Sequence, residues 1–466
     1  MQWYFSSGDL GFFWEEQIRA FSWLPQVTNG LLSLWLDYPF RVVVKILSTV
    51  GFSWFVIEKL LWISVFALAC YSSYKLTKHW LGCIIYTFNT YLLLLFSGGQ
   101  LGVAASFAFT PFIFYRFREH PKEKIVNGLY LAILIIFDIR IAFLVILATA
   151  PWWYRSIVSL IVAGSLHMYW ILPTVLARAT IPGELTNPGM LKFLSFTDFS
   201  HALSLLHPNW PENLFGKVYF LQPEFLIIPI LAFSAVANKY RYFAFLALIG
   251  VFFAKGVNEP FGGIFQWMFE RVPGFVMFRD PTKFYLYIAM GYSVLIPVIL
   301  KKSRLLSILF VIFWLFTLRG FSIQPVRIPE EYVQLKNLLV SDPIPSRTLW
   351  IPKREGFAFS SDVHPILTAT DAASVDPSVK YIIVPIDVNK KIFLDGYEFN
   401  PSMREKVIAS ISLPQNPQFQ DLAVFENPSF SGMQSAVPAV ATKQQQLANI
   451  GLGISAAFLI LWTFLR

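Results

Sequence analysis

The sequence predicts an all-α polytopic membrane protein of about 11 transmembrane helices, carrying a small external α/β domain. Three observations lead there. The 466 residues are 56% hydrophobic and only 14% charged, with a mean hydropathy of +0.56, whereas soluble proteins carry roughly 25% charged residues. The apolar residues gather into runs, at 54–74, 79–97 and 156–177 among others, near the ~20 residues that carry a helix across a bilayer. One long polar stretch, 324–443, stands apart near the C-terminus.

Taken in order, helices are expected near 54–74, 80–97, 101–117, 125–137, 141–154, 156–176, 224–237, 242–257, 284–300, 304–321 and 447–465. Alternate connections collect the basic residues: Lys75 and Lys78; Arg116, Arg118, Lys122 and Lys124; Arg155; Lys239 and Arg241; Lys301, Lys302 and Arg304; finally Arg466. Only Glu119 and Glu123 oppose them, so these loops account for the net charge of +9. This is the positive-inside signature. It makes the basic side cytoplasmic and explains the charge without nucleic acid. An odd helix count then leaves the N-terminus outside. The expected setting is the plasma membrane, multi-pass and in contact with lipid, with the large C-terminal domain external.

The domain reading follows. Residues 1–323 form a multi-helix transmembrane domain with external loops at 1–53, 177–223 and 258–283. Residues 324–443 form the external α/β domain and its linker, and 444–466 the last transmembrane helix. Within 324–443, strand-like runs at 347–351, 380–386 and 422–425 and a helical pattern at 329–339 are separated by turn residues. No apolar helix precedes the external N-terminal loop, so a first helix is expected to be missing from the sequence as it stands. Cys70 and Cys83 both lie inside apolar runs and suggest neither a disulfide framework nor a metal site.

The most pointed motif is Phe278-Arg279-Asp280-Pro281-Thr282-Lys283-Phe284. Asp280 as N-cap and Pro281 at the first helical position suit a helix start. Capping leaves Arg279 and Lys283 unexplained. Two cations beside a helix N-terminus, on the side of the membrane where cations are scarce, fit a phosphate or pyrophosphate cradle. Snorkelling to lipid headgroups is the alternative. The runs 125–137 and 141–154 are short for spans and flank Asp138-Ile139-Arg140. Either Asp138 and Arg140 face an external vestibule, or they form a simple ion pair at a hairpin turn. Asp9, in the first external loop beside Phe12, Phe13 and Trp14, is a candidate base; a solvated turn residue is the plainer alternative.

These features together resemble the membrane glycosyltransferases of the GT-C superfamily. The segment 273–284 is similar to one in the arabinofuranosyltransferase-D-like branch and in related uncharacterised bacterial membrane proteins. The phrases Leu349-Trp350-Ile351-Pro352, Val379-Lys380-Tyr381-Ile382-Ile383-Val384 and Val424-Phe425-Glu426-Asn427 resemble the same group. The resemblance implies a polyprenyl-phosphate sugar as donor and a glycan or glycolipid as acceptor. It implies Asp9 as the catalytic acidic residue by its place in the first external loop, with Arg279 and Lys283 meeting the donor phosphate by their charge. A divalent cation is left open, and no other cofactor is implied.

Other residues carry less. Asp198 and His201 have ligand-like spacing with His207 beyond them, from which a metal site could be built; loop hydrogen bonding is the plainer reading. His167 reads as a packed residue of the helix bundle. No phosphate-binding glycine loop, metal-ligand cysteine spacing or nucleophile elbow is present. The expected function is transfer of a sugar from a polyprenyl-phosphate donor at the outer face of the membrane. The alternatives are a transporter or flippase for lipid-linked saccharides and a non-catalytic assembly protein.

Overall fold

The computed structural model describes residues 2–6, 8–27, 34–153, 157–176, 189–205, 223–235, 240–318, 325–351, 356–369, 376–385, 401–432 and 439–464. They fall into two compact units. The first comprises Met1–Trp23, Arg41–Lys59 and Ile323–Ala439, and the second Leu24–Phe40, Leu60–Ser322 and Val440–Arg466.

In chain order the helices begin with α1 (Glu15–Ala20), α2 (Leu34–Thr49), α3 (Trp54–Thr77), α4 (Trp80–Thr87) and α5 (Thr90–Ser97). Next come α6 (Leu101–Glu119), α7 (Lys124–Phe137), α8 (Ile139–Ala148), α9 (Ala150–Trp153), α10 (Ile157–Leu166) and α11 (Met168–Leu176). Short α12 (Gly189–Leu194) and α13 (Phe199–Leu203) are followed by α14 (Ile227–Ser234), α15 (Arg241–Ala254) and α16 (Gly262–Arg271). Two 3-10 turns, Phe275–Phe278 and Pro281–Phe284, lead into α17 (Tyr285–Leu300) and α18 (Arg304–Phe316). The remaining elements are α19 (Glu330–Ser341), β1 (Arg347–Trp350), β2 (Ile366–Thr368), β3 (Val379–Val384), α20 (Pro401–Ser410), β4 (Ala423–Glu426) and α21 (Ala439–Phe464).

The first unit holds the α/β fold expected for the polar stretch. Its sheet runs β2-β1-β3-β4, with β1 parallel to β2 and β3, and β4 antiparallel to β3. Strand β3 is apolar almost throughout because both faces are covered. Leu349, Ile351, Ile382 and Val384 share a core with Val407 and Ile411 at the end of α20. By the two-residue period of a strand, Trp350 points the other way and stacks on Tyr332 of α19, with ring centroids 6.2 Å apart. Strand β2 and helix α20 had no counterpart in the sequence reading; β2 is three residues long, and α20 carries a mostly polar sequence.

The N-terminal segment belongs to this unit. Tyr4 pairs with Val326 as an antiparallel bridge. Phe12 packs edge-on against Tyr4, Trp14 and Phe357, and the Trp14 indole N–H donates to the Phe357 carbonyl at 3.1 Å. At the start of α3 the buried Glu58 accepts from the Phe5 N–H and the Ser6 hydroxyl and pairs with Lys59 at 2.8 Å. Residues 1–53, read from sequence as a loop, also contain α1 and the 16-residue α2; Asp37, Pro39 and Arg41 break up the apolar signal there.

The second unit is helical. Helices α15 and α17 cross closely because Gly291 leaves room for Ala247, whose Cβ would lie 2.7 Å from a Cβ added at Gly291. Among the described residues three helices are long and apolar enough to cross a membrane: Trp54–Thr77, Pro281–Leu300 and Lys443–Phe464. If α4 with α5, bent by 42°, and α10 with α11, bent by 83°, each count as one span, there are five. The expected total of about 11 is not supported. The runs at 80–97 and 156–176 are not straight helices. Asn89 caps a new helix by accepting the Leu92 N–H, while at His167 the ring bonds across to the Ala132 carbonyl at 3.0 Å. Helices α15 and α18 have 14 and 13 residues, which at ~1.5 Å per residue falls short of a ~30 Å core. Cys70 and Cys83 are joined as a disulfide between α3 and α4. The tight turn after α3 brings them to a Cα separation of 5.0 Å, a proximity that spacing within separate apolar runs did not disclose.

Candidate functional site

Four residues singled out from sequence, Asp138, Arg140, Arg279 and Lys283, come together in the second unit where helix starts meet. The first start is that of α8. Asp138 ends α7 in an extended conformation, and its carboxylate accepts the N–H groups of Arg140 at 2.8 Å and Ile141 at 3.1 Å. The Arg140 guanidinium folds back on the same carboxylate, with Nη2 2.6 Å from Oδ2. Asp138 is buried, and the Arg140 side chain stays 29% exposed. The hairpin-turn ion pair expected as the plainer alternative is therefore present, and Arg140 keeps an open edge.

The second start precedes α17. Phe278 and Phe284 are buried and sit 5.4 Å apart by ring centroid, so they pin both ends of the Arg-Asp-Pro-Thr-Lys segment into an aromatic core. Phe253, Phe265, Phe275 and, from α8, Phe143 complete that core. Beneath Pro281 the chain turns at Gly256, whose φ of +60° suits glycine and whose added Cβ would meet Ser195 Oγ at 2.2 Å. Asp280 accepts from the Thr282 N–H at 3.0 Å and the Thr282 hydroxyl at 2.6 Å, and pairs with Lys283, which is almost wholly buried. Burial opposes ionisation of Asp280, but the Lys283 ammonium and these hydrogen bonds outweigh it and hold its carboxyl below the usual range.

A third start, that of α5, adds Tyr91, which stacks on Tyr285 at 5.4 Å. These groups lie in one another's fields: Asp138 in that of Lys283, Arg140 in that of Asp280, and Tyr91 in those of both carboxylates. Three cations face two carboxylates. Each carboxylate already holds one cation and its local N–H groups. Arg279, half-buried, makes no ion pair among the described residues. Burial and the neighbouring Arg140 guanidinium lower its basicity, against the pull of Asp280. Two guanidiniums held near one another with partial compensation form an arrangement suited to an oxyanion, since each offers planar, paired N–H donors.

Asp9 lies in the first unit, exposed, in the turn after Gly8, whose φ is +60°. Asp198 caps α13 by accepting the His201 N–H at 2.8 Å, and its carboxylate lies 2.8 Å from His201 Nδ1. His207 lies outside the described residues. Among the described residues there is no group of three or more His, Cys, Asp or Glu placed to hold a metal ion. The His167 ring accepts the Trp170 indole N–H on Nδ1 and bonds through Nε2 to Ala132, so both nitrogens serve the bundle. Sequence reading passed over Tyr91 and Glu58. The Asn89-Thr90 step inside an apolar run was the available signal for the first: an N-cap residue that restarts a helix.

No family model, no characterised protein and no solved structure matches this chain.

Proposed function

We propose that the protein is a multi-pass membrane glycosyltransferase, of the type its sequence resembles, that takes a sugar from a polyprenyl-phosphate donor at the outer face of the plasma membrane. The observation that carries the reading is the surplus cation Arg279 beside Arg140 at converging helix starts. Its position along the helices agrees. Helix α7 runs from the basic connection at Lys124 to Asp138, and α17 runs from the cluster to Lys301. The cluster thus sits at the helix ends remote from the basic loops, which the positive-inside rule makes the outer ends. The external placement of the α/β unit belongs to the same proposal.

In this mechanism an acceptor hydroxyl on a glycan or glycolipid attacks the anomeric carbon and gives up its proton to a carboxylate base, the role the resemblance implies for Asp9. The bond from that carbon to the phosphate oxygen breaks, and the electron pair leaves with the lipid phosphate. Arg279, with Arg140 and Lys283 behind it, stabilises the added charge. The resemblance leaves a divalent cation open. The donor set of the cluster does not suit one, because both carboxylates are engaged by cations and N–H groups.

The test is transfer from a panel of polyprenyl-phosphate sugars in proteoliposomes by the unaltered chain, Asp9→Asn and Arg279→Ala. Product from the unaltered chain alone is expected. Full activity in Asp9→Asn would remove that residue from the chemistry.

A second reading, a transporter or flippase for lipid-linked saccharides, is favoured by the helix breaks at Asn89, Asp138 and His167, since transporters often bind cargo at interrupted helices. Movement of the labelled lipid between leaflets without sugar transfer would select it. Donor binding with neither outcome would select a non-catalytic assembly protein.

A further inference from the structure

Helix α16 has three faces. Gly262, Phe265 and Phe269 are buried, with Phe265 against Phe275 at 5.2 Å between ring centroids. Gln266 and Glu270 form an exposed polar face and bond to each other at 2.9 Å. The third face carries Ile264 and Trp267, exposed by 47% and 59%, with Phe261 just before the helix exposed by 68%. At 100° per residue, Arg271 projects between Ile264 and Trp267. Phe261 also adopts a φ of +62°, a left-handed conformation that costs a bulky residue energy. The fold therefore holds a large aromatic side chain in solvent at a conformational cost, with nothing among the described residues covering it.

We propose that this face of α16 docks into a lipid surface, with Phe261, Ile264 and Trp267 entering the boundary between headgroups and acyl chains and Arg271 meeting lipid phosphate. The occupant follows from place and chemistry. Residues 255–261 tie α16 to the end of apolar α15, and 272–280 tie it to the start of the candidate span Pro281–Leu300. The helix therefore sits at the level where that span would enter a bilayer. Trp and Phe beside an Arg are the side chains that favour this boundary, and the cation complements anionic headgroups. The inference rests on the membrane reading above and adds a surface that reading does not require.

The test places an environment-sensitive fluorophore on Ile264→Cys, Trp267→Cys, Gln266→Cys and, in the candidate span Trp54–Thr77, Ile63→Cys. Each protein is set in nanodiscs of phosphatidylethanolamine and phosphatidylglycerol. Brominated lipid is expected to quench positions 264, 267 and 63, while aqueous iodide quenches 266. Lipid quenching at 63 with iodide quenching at 264 and 267 overturns the docking and leaves the membrane reading standing. Absence of lipid quenching at 63 overturns both. Protection of 264 and 267 from both quenchers also overturns the docking, in favour of a protein partner or second copy. Photoactivatable phospholipid applied to the unaltered chain checks the result without substitution. Adducts are expected within 261–271, and adducts confined to the candidate spans count against the proposal.

Discussion

Arg279 lies in the field of Arg140, a like charge contributed by a different helix start. Such a pair persists where surrounding carboxylates offset part of the repulsion, and a bound anion would remove the rest. Asp138 and Asp280 supply the offset here, each tied to its nearer cation.

Arg279→Ala is expected to weaken binding of polyprenyl phosphate at least tenfold, since a hydrogen bond to a charged group is worth about 1.5–3 kcal/mol. Because Arg279 makes no ion pair among the described residues, the substitution should change stability by only about 0.5 kcal/mol. Arg279→Lys should restore charge but not the planar fork. Equilibrium binding of a labelled lipid phosphate, read alongside a thermal melt, separates the effects, and unchanged binding in the alanine variant would remove Arg279 from the site.

Asp138→Asn should behave oppositely, costing fold before ligand. The amide oxygen can still cap α8, but Arg140 loses its counter-charge; breaking a fully buried pair costs about 3–5 kcal/mol, and the open edge of Arg140 reduces this to about 1–3 kcal/mol. Asp138→Ala should lose about 1 kcal/mol more with the cap. Unfolding in detergent measures both, and equal stability for the two variants would show that the cap contributes nothing.

Acid should loosen the α/β unit through Asp342. Burial opposes its ionisation. The Lys380 ammonium at 2.7 Å, the Ile344 N–H at 3.1 Å and the Tyr381 hydroxyl at 3.1 Å overcome that and lower its carboxyl below the usual value. A depressed folded-state value means that the unfolded chain takes up the proton first as pH falls. The stabilisation is therefore complete above the free-aspartate value of about 3.9 and lost as pH drops through the lower folded value. Asp342→Asn should flatten the acid limb of the stability profile and leave its slope between pH 6 and 8 unchanged. An acid limb identical to that of the unaltered chain would exclude this group.

Trp14→Phe should cost about 1 kcal/mol, the usual net worth of one hydrogen bond, because it removes the indole donor to Phe357 while keeping an aromatic ring beside Phe12. Trp14→Ala should cost about 3–5 kcal/mol by leaving a cavity. Protease resistance of the first unit reports both changes.

Much of this was legible beforehand, for physical reasons that differ by region. The strands at 347–350, 379–384 and 423–426 announced themselves because buried strands need apolar runs bounded by turns. The pairing of Asp138 with Arg140 was visible because both are costly in an apolar setting. Their approach to Arg279 and Lys283 was not, since it depends on Phe143 meeting Phe278, an aromatic contact that no local spacing encodes. The broken helices at Asn89 and His167 were missed for the opposite reason: hydropathy averages across a capping residue and sees one continuous run.

The bridge between Tyr4 and Val326 and the bond from Trp14 to Phe357, 343 residues further on, also bear on how the molecule is made. The segment 2–23 is made before residues 60–322, whereas Val326 and Phe357, which it meets, are made after them. Until then it has only its nearer partners, among them Trp54, Phe55 and Glu58, while the intervening helices fold from mainly local contacts. Assembly of the first unit is therefore a late event, completed only with the last quarter of the chain, and a ribosome stalled before Phe357 would carry a first unit without β2, β3, β4 and α20.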